Sequence, residues 1–398
     1  MPYYIGDVIG DSSLLVARTP EEFEKSGIRV MLNTSVESID LNKKVVALAD
    51  ERRIPFDLLG VATGSTAHFP AIPLDVRDGV FVLKNLNDGL ALKSYITKKS
   101  CRRVLVVGAG FIAMELCEAF RNLDLETVIV HRGDRPVARW DPELTQLIVK
   151  TIETNGVSFM TGRTASAVEG RNGRIRLLTD KESFEGDLVV FAAGVRPNTA
   201  VAKAAGIEIG ATGAIKVDAL QRASSESVFA VGDCSEAYHR ISKKWVNLPL
   251  GDVANKQGRV AGRVAAGLSA AFPGVVGSQA FKVFNLEAAA TGLTEEEAAS
   301  SGFKVAAVTL WGSPMAHSMS KGRKLGLKLV ADSRTGKLLG AQAVGHGGAW
   351  ARINMLSVCL WADLSIDELM FMDMAYAPPF GGAWDLVHVA AQQLAKRL

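Results

Sequence analysis

The residues best suited to chemistry form a glycine-rich turn, Gly108-x-Gly110-x-x-Ala113. Four apolar residues, Val104 to Val107, run directly into this turn, and a helical pattern follows it. Gly108 permits a tight turn, Gly110 lets the backbone approach a pyrophosphate, and the small Ala113 lets the helix pack closely on the strand. The phosphates would then lie at the helix N-terminus, where free amide groups favour negative charge. The turn therefore predicts a dinucleotide-binding site.

The pattern around the turn predicts a strand, a turn and a helix in that order. The apolar run from Cys117 to Phe120 continues the helix, and a second buried-strand pattern, Val128 to Val130, follows at the distance of a βαβ unit. A glycine pattern alone is weak evidence, because a glycine-rich turn without a ligand can have the same residues. The flanking elements favour the nucleotide-binding interpretation.

The second strand of this unit ends at His131 and Arg132, where the side chain that contacts the ribose belongs. An aspartate or glutamate there would accept a hydrogen bond from the 2′-hydroxyl of NADH and repel a 2′-phosphate, and neither is present. His131, Arg132 and Arg135 offer donors instead, which favours the 2′-phosphate of NADPH. The alternative is a solvated loop that binds NADH without selecting it, so the sequence leaves NADH and NADPH open.

Two stretches that begin with aspartate share one design. Asp57 to Ser65 and Asp187 to Asn198 each run through an apolar strand into a small turn that contains glycine. This internal repeat predicts two nucleotide-binding units. A third apolar run, Val228 to Asp233, places a carboxylate at the C-terminal end of a strand, where open α/β sheets bind their ligands. We expect Asp233 to contact a ribose or ribityl hydroxyl rather than only to cap a helix.

The pattern changes from about Gly277 onward, where strand-like runs alternate with short helices and predict an α+β domain with an antiparallel sheet. Residues 375–385, which we name the aromatic loop, combine proline, glycine and aromatic residues. We expect this loop to be a dimer contact, although a plug of the core would have a similar composition. The strands expected in this domain are Lys282–Phe284, Lys304–Leu310, Gly326–Ala331 and Leu338–Val344, and the helices are Thr294–Ser301, Trp350–Ala362 and Ile366–Phe371.

Other elements are expected nearer the start of the chain. Thr19 is a plausible N-cap, since Pro20 follows it at the first helical position. The expected elements are helices at Thr19–Ser26 and near Asp141–Thr154, strands at Arg29–Leu32, Val36–Asp40 and Lys44–Leu48, and a hairpin at Arg171–Arg174.

The composition excludes several classes of protein. A chain of 398 residues with 48% hydrophobic and 22% charged residues is expected to form two or three globular domains. The formal net charge of +3, without a basic cluster, argues against a nucleic-acid partner. Neither a signal peptide nor a run that could span a bilayer is visible, so we expect a cytoplasmic protein without membrane contact. The four cysteines lack the spacing of a metal site or disulfide framework, so no metal is expected.

Taken together, these residues resemble the FAD-dependent pyridine nucleotide-disulfide oxidoreductases, and within them the coenzyme A-disulfide reductases, NADH oxidases and NADH peroxidases. The resemblance covers essentially the whole chain, with its motifs in the family's order. Those motifs are Pro2–Gly6, Ala62–Gly64, the Gly108 turn with Glu115, Ala193–Asn198, Ala230–Asp233, Lys282–Phe284 and Tyr376–Pro379.

The resemblance implies an α/β fold with two interleaved Rossmann-like nucleotide-binding domains, one for FAD and one for NAD(P), and a C-terminal α+β dimerisation domain. Residues 1–85 and 204–276 would form the FAD-binding domain. Residues 86–203 would form the NAD(P)-binding domain, and residues 277–398 the dimerisation domain.

The resemblance also implies the residues of the site. Glu115 matches a residue near the nicotinamide and flavin, and Tyr376 matches a tyrosine that reaches the active site of the partner subunit, so both are candidate catalytic residues. The residues expected to contact FAD are Thr63, Gly64, Ser65 and Asp233, and those expected to hold NADH or NADPH are Gly108, Gly110, Phe111, Ile112, Glu115, His131, Arg132 and Gly194.

The implied function is that of a homodimeric flavoprotein that passes hydride from NAD(P)H through FAD to a disulfide, such as coenzyme A disulfide, or to a persulfide. One alternative is an NADH oxidase or peroxidase that reduces oxygen or peroxide. An alternative of another class is a truncated dimer that binds nucleotide and catalyses nothing.

Two departures from the family pattern bear on these expectations. The family has an FAD glycine fingerprint and a single redox-active cysteine before the segment that matches Pro2–Gly6, and this sequence has neither. We interpret this as a start site assigned too far downstream, and we expect the chain alone to bind FAD poorly and to aggregate. In addition, Ala316–Ser320 lacks the tyrosine of the coenzyme A-disulfide reductases, which weakens the case for that substrate.

Overall fold

The computed structural model describes residues 1–171, 173–319 and 321–398. The helices are α1 (Pro2–Ile5), α2 (Pro20–Lys25), α3 (Leu86–Lys98), α4 (Phe111–Asn122), α5 (Pro142–Thr154), α6 (Ala200–Ala204), α7 (Gly251–Ala265), α8 (Glu295–Ser300), α9 (Ala349–Trp361), α10 (Ile366–Phe371) and α11 (Leu386–Ala395). None of the helices in these ranges has the length and apolar character needed to cross a membrane.

The strands follow in the same chain order. They are β1 (Val36–Asp40), β2 (Val45–Leu48), β3 (Arg53–Pro55), β4 (Leu59–Val61), β5 (Ser65–Ala67), β6 (Val80–Val82), β7 (Arg103–Val107), β8 (Glu126–Val130), β9 (Val157–Met160), β10 (Ala165–Arg171), β11 (Arg174–Thr179), β12 (Ser183–Gly186), β13 (Leu188–Phe191), β14 (Val195–Pro197), β15 (Val228–Ala230), β16 (Ala237–His239), β17 (Lys244–Val246), β18 (Gln279–Val283), β19 (Leu286–Gly292), β20 (Val305–Gly312), β21 (Leu325–Asp332) and β22 (Leu338–Gly345).

The chain divides into two compact units. Unit 1 contains Met1–Asp11, His68–Gly194 and Val276–Leu398, and unit 2 contains Ser12–Ala67 and Val195–Val275. Each unit is therefore built from stretches that are not contiguous in sequence.

The first sheet of unit 1 is parallel, with the strand order β6-β13-β7-β8-β9. Val104 to Val107 of β7 and Leu188 to Phe191 of β13 are buried, because the two faces of the sheet pack into different cores. A strand buried on both faces is expected to be continuously apolar. This explains why the apolar runs at these strands were visible in the sequence.

The second sheet of unit 1 is antiparallel, with the order β18-β19-β22-β21-β20, as the sequence predicted for this domain. Every residue of β21 and β22 is buried. The strand β19 was not predicted from the sequence. Its sequence, Leu-Glu-Ala-Ala-Ala-Thr-Gly, is dominated by alanine, which has low strand propensity, and tertiary pairing decides the conformation.

Unit 2 contains a three-stranded antiparallel sheet, β1-β2-β3, and a parallel pair, β4 and β15. The helix predicted from Thr19 is confirmed, since the Thr19 side chain caps α2 in a reciprocal pair with Glu22. The strand predicted at Arg29–Leu32 is wrong. Leu32 is 65% exposed, so that short apolar run has no buried face to stabilise a strand.

The hairpin predicted at Arg171–Arg174 is present, because β10 and β11 pair with Arg171 opposite Arg174. Asn172 in its turn lies outside the described residues. The helix expected near Asp141 is α5, with Asp141 as its N-cap residue.

Candidate functional site

The glycine turn lies at the C-terminal end of β7. Gly108 has a φ of +112°, and a Cβ built on it would clash with the Ala192 carbonyl oxygen. The Gly108 N–H donates to the Val130 carbonyl oxygen over 3.0 Å. The turn is thus confined between the ends of β13 and β8, and only glycine has both the required conformation and the required size.

Gly110 is the N-cap residue of α4 and has an extended backbone. No side chain caps this helix, and a Cβ built on Gly110 would meet no atom within 4 Å. The amides of Phe111 and Ile112 lie in the first helical turn, where amides have no partner within the helix. Ala113 is fully buried. The open space above these amides and the helix dipole fit a pyrophosphate.

Gly194 lies at the same edge of the parallel sheet, three residues after β13, which pairs with β7. It is exposed, has a φ of +99°, and a Cβ built on it would meet no atom within 4 Å. The structure therefore brings Gly108 and Gly194 to the carboxyl ends of two adjacent parallel strands, the edge where such sheets bind ligands.

His131 and Arg132 follow the last residue of β8. The His131 ring stacks on Phe159 with a centroid distance of 6.4 Å and an interplanar angle of 15°. Burial lowers the pKa of His131, and the charge of Arg132 lowers it further. Arg132 is exposed and forms no ion pair with another residue among those described. The strand end thus presents an imidazole with a lowered pKa beside an exposed guanidinium.

Glu115 lies in the second turn of α4 and is half-buried. Burial raises the pKa of its carboxyl group, and the Glu118 carboxylate one turn later also raises it. Glu118 accepts a hydrogen bond from the Phe284 N–H over 2.7 Å and forms an ion pair with Lys282. Glu118 had no predicted role, although its spacing of three residues from Glu115 places both on one helix face.

The residues expected to contact FAD lie in unit 2, where β4 and β15 end side by side. Ser65 is buried and its Oγ donates to Asp233 Oδ2 over 2.7 Å. Gly64 has a φ of +66° and open space where a Cβ would be. Small residues and a carboxylate at the ends of two parallel strands fit a ligand with phosphate and hydroxyl groups.

Thr63 joins this cluster through Asn198, which had no separate predicted role. Its Oγ1 donates to the Asn198 carbonyl oxygen over 2.6 Å, and Asn198 Nδ2 donates to the Thr63 carbonyl oxygen over 2.9 Å. Asn198 closes the Ala193–Asn198 motif, which was the available signal. The two repeated turns of the sequence therefore meet in space at their last residues.

Tyr376 is 54% exposed, and Phe380 and Trp384 in the same aromatic loop are 78% and 56% exposed. The interpretation of this loop as a core plug is therefore wrong. The Ala316 N–H donates to the Pro378 carbonyl oxygen over 2.9 Å, so the start of the Ala316–Ser320 segment lies beside the aromatic loop. Ser320 itself is outside the described residues.

A family profile described as pyridine nucleotide-disulphide oxidoreductase matches residues 6–258, and the dimerisation domain of that family matches residues 278–387. The chain belongs to the pyridine nucleotide-disulphide oxidoreductase family. The resemblance seen in the sequence is confirmed, as are the α/β class and the C-terminal dimerisation domain. This family member is an FAD-dependent NAD(P)H oxidoreductase.

Two curated relatives illustrate the family. The NAD(P)H sulfur oxidoreductase (CoA-dependent) of Pyrococcus furiosus is 34% identical over 394 residues, which cover 98% of this chain and 89% of the relative. An NADH oxidase of Methanocaldococcus jannaschii is 30% identical over 404 residues, which cover 100% of this chain and 90% of the relative.

The solved structures similar to this chain likewise include a persulfide reductase and an NADH oxidase. The NAD-dependent persulfide reductase from A. fulgidus is 33% identical with a TM-score of 0.95, covering 100% of this chain and 75% of that protein. The water-forming NADH oxidase from Lactobacillus brevis, bound to NADH, is 27% identical with a TM-score of 0.94, covering 100% of this chain and 89% of that protein.

The described cysteines of this family member are free thiols in apolar surroundings. Cys117, Cys234 and Cys359 are buried, and Cys101 is half-buried. Burial raises the pKa of Cys101 to about 11 and also raises that of Cys117. Reactive cysteines need a stabilised thiolate, so neither Cys101 nor Cys117 has the environment of a redox nucleophile.

Proposed function

We propose that this oxidoreductase reduces a small sulfur substrate, a disulfide such as coenzyme A disulfide or a persulfide, with electrons from NADPH or NADH delivered through FAD. The observation that carries the proposal is the near-complete coverage by relatives named as sulfur and persulfide reductases, at 34% and 33% identity. A second candidate is oxygen reduction, because relatives of comparable coverage are named NADH oxidases.

The nucleotide site of this chain would hold NAD(P)H through the glycine turn. The amides of Phe111 and Ile112 would bind the pyrophosphate, with Gly108, Gly110 and Gly194 leaving room for it. Thr63, Gly64, Ser65 and Asp233 would hold FAD. When bound, the two cofactors supply the hydride and electron chemistry. Residues 1–85 and 204–276 are our proposed FAD-binding domain, residues 86–203 the NAD(P)-binding domain, and residues 277–398 the dimerisation domain.

Glu115 is proposed to orient the nicotinamide. Burial and the neighbouring Glu118 carboxylate raise the pKa of Glu115, because both disfavour an isolated negative charge. A ligand group that donates a hydrogen bond to this carboxylate, or that carries a positive charge, would therefore be stabilised beside it. A carboxyl group of this kind is suited to hold a ligand amide or cationic ring in one orientation.

NADPH is the proposed preferred cofactor. One solved relative is an engineered water-forming NADPH oxidase bound to NADPH. Its substitutions include glycine to alanine and, 18 positions later, aspartate to alanine. The position directly after that aspartate was changed to arginine. In this chain Ala113, His131 and Arg132 have the same spacing, since 131 − 113 = 18. Arg132 would pair with the 2′-phosphate, and His131, unlike an aspartate at this position, would not repel it.

The coenzyme preference can be tested with Arg132→Ala. A charge-assisted contact is worth about 1.5–3 kcal/mol, so kcat/KM for NADPH should fall by roughly 10- to 100-fold while that for NADH changes little. Lys150→Ala, on the exposed face of α5, is the matched control and should change neither value. Equal losses with both coenzymes would contradict the preference.

A homodimer is proposed because the chain matches the family's dimerisation domain and exposes the aromatic loop. Tyr376 would then reach the active site of the partner subunit.

The acceptor is tested with purified protein and NADPH under anaerobic conditions. A flavin absorption band that bleaches with NADPH and recovers on adding coenzyme A disulfide or coenzyme A persulfide would support the sulfur-reductase proposal. Recovery only with oxygen would favour the oxidase. A protein that binds NADP⁺ but shows no turnover even after incubation with excess FAD would favour a non-catalytic nucleotide-binding dimer.

A further inference from the structure

Residues 131–140, which we name the 131–140 loop, connect β8 to α5 and carry His131 and Arg132. The loop returns to the glycine turn, where the Val137 N–H donates to the Ala109 carbonyl oxygen over 2.8 Å. Val137 is 5% exposed and has a φ of +50°. A β-branched residue rarely adopts this left-handed conformation, and it persists only where the surroundings hold it. The loop therefore depends on contacts that fix it from outside.

Lys328 of β21 anchors the end of this loop. Its side chain is almost completely buried, and Nζ lies 3.3 Å from Asp141 Oδ2 and 2.9 Å from Glu143 Oε1. Glu295 completes the ring of carboxylates at 2.5 Å. Gln342 of β22 holds Asp141 from the same sheet, since Nε2 donates to Oδ2 over 2.7 Å and the Asp141 N–H donates to Oε1 over 3.0 Å.

The two residues before Asp141 are held from the same side. Arg139 forms an ion pair with Glu297 over 2.8 Å, and Trp140 is 2% exposed with its ring 5.7 Å from that of Phe281. Arg139, Trp140 and Asp141, where the loop joins α5, are thus fixed by elements of the C-terminal part of unit 1.

A buried ammonium among carboxylates is weak evidence for stability, because well-packed apolar residues often stabilise a fold equally well. Its distinctive property is that it fixes the positions of the groups around it. Here those groups are Asp141, the N-cap residue of α5, and the loop that ends at this residue.

We propose that Lys328 is a positioning residue, which through Asp141 holds the 131–140 loop in the conformation that receives the ribose-phosphate end of NAD(P)H. This inference rests on the proposed cofactor site. The antiparallel sheet of the dimerisation domain would thereby set the coenzyme affinity of the nucleotide-binding sheet in its own chain.

The test is Lys328→Met, which removes the charge and keeps an unbranched side chain. We expect KM for NADPH to rise about tenfold with kcat within about twofold of the parent value, because only cofactor binding is affected. Amide hydrogen exchange across residues 131–140 should also accelerate. The matched control is Lys337→Met, which breaks an exposed ion pair with Asp363 in the same C-terminal domain and should change neither the KM nor the exchange of the loop.

An unchanged KM together with unchanged exchange would overturn the inference, and so would a fall in kcat at constant KM. If Lys328→Met does not fold, Arg139→Ala provides a milder version, because Arg139 is 70% exposed and should raise KM only about threefold. Exchange and NADP⁺ binding need no turnover. A parent protein that binds neither NADP⁺ nor NAD⁺ would therefore contradict the proposed function, whereas equal NADP⁺ affinity of parent and variant would contradict this inference alone.

Discussion

Arg352 and Asp385 form a two-point ion pair, in which Nε lies 3.0 Å from Oδ1 and Nη2 lies 2.5 Å from Oδ2. Arg352 belongs to α9 and is 7% exposed, and its Nη2 also donates to the Phe380 carbonyl oxygen. Asp385 caps α11 by accepting from the Val387 N–H over 3.0 Å. The pair thus joins α9, the aromatic loop and the start of α11.

Removing the charge of Arg352 should destabilise the dimerisation domain. Arg352→Met leaves the Asp385 carboxylate part-buried without a cation, which typically costs about 3–5 kcal/mol. Urea unfolding measures the free energy of unfolding directly. The control is Lys337→Met, since Lys337 forms an exposed pair with Asp363 and should contribute about 1 kcal/mol or less. If the two variants lower the free energy of unfolding by similar amounts, burial does not make the Arg352–Asp385 pair more important for stability than an exposed pair.

The two glycines of the nucleotide turn should respond differently to a methyl group. Gly108→Ala places Cβ against the Ala192 carbonyl oxygen and keeps a positive φ, so we expect a loss of roughly 1–3 kcal/mol in the free energy of unfolding. Gly110→Ala meets no protein atom and should change stability by less than about 1 kcal/mol, yet weaken NADPH binding at least tenfold, because the methyl group occupies the space proposed for the pyrophosphate. Thermal unfolding and NADP⁺ titration separate the two effects, and tight NADP⁺ binding by Gly110→Ala would argue against this site.

Glu115 should make the stability of the cofactor-free protein depend on pH. Its folded-state pKa is raised above the ordinary value of 4.5, so between these two pKa values the folded chain binds more protons than the unfolded chain. The free energy of unfolding therefore falls as pH rises through this window. Glu115→Gln should remove that decrease and be more stable than the parent above it. Urea unfolding from pH 4 to 8 is the measurement, and identical pH profiles of parent and variant would contradict the assignment.

The aromatic loop should carry part of the dimer contact. Phe380 is 78% exposed beside other exposed aromatic side chains of the loop, and such an apolar patch is typical of a protein–protein contact. Phe380→Glu should therefore shift the protein from dimer to monomer in sedimentation velocity. Leu268→Glu, at a residue 53% exposed in unit 2, is the control and should remain dimeric. A dimeric Phe380→Glu protein would place the contact elsewhere.

Local features of the sequence were sufficient for the nucleotide turn. Gly108, Gly110 and Ala113 lie within six consecutive residues where β7 passes into α4. Their spacing alone therefore predicts the strand, the turn and the helix that form the site. The caps of α2 and α8 were predictable for the same reason, because each depends on residues three apart.

Contacts between distant parts of the chain were not predictable from one sequence. Lys328 pairs with Asp141 across 187 positions, since 328 − 141 = 187, and no local pattern marks this lysine as buried among the apolar residues around it in β21. The strand β19 was missed because pairing with β18 and β22 overrides its alanine-rich composition. Arg29–Leu32 was wrongly expected to be a strand because a short apolar run does not by itself supply a neighbouring strand to pair with.

The interrupted construction of unit 2 has a consequence for synthesis. β4 pairs with β15 although residues 68–194 lie between its two stretches, so this pair closes only after Ala230 has been translated. Pairing of β4 with β15 must close a long loop, and the entropic cost of closing it slows this step. Pairing of β7 with β8 is faster, because these strands are consecutive in the sequence. The parallel sheet of unit 1 is complete once Phe191 has emerged. On the ribosome, the parallel sheet of unit 1 should therefore fold first, and Ser12–Ala67 should pair with Val195–Val275 only afterwards.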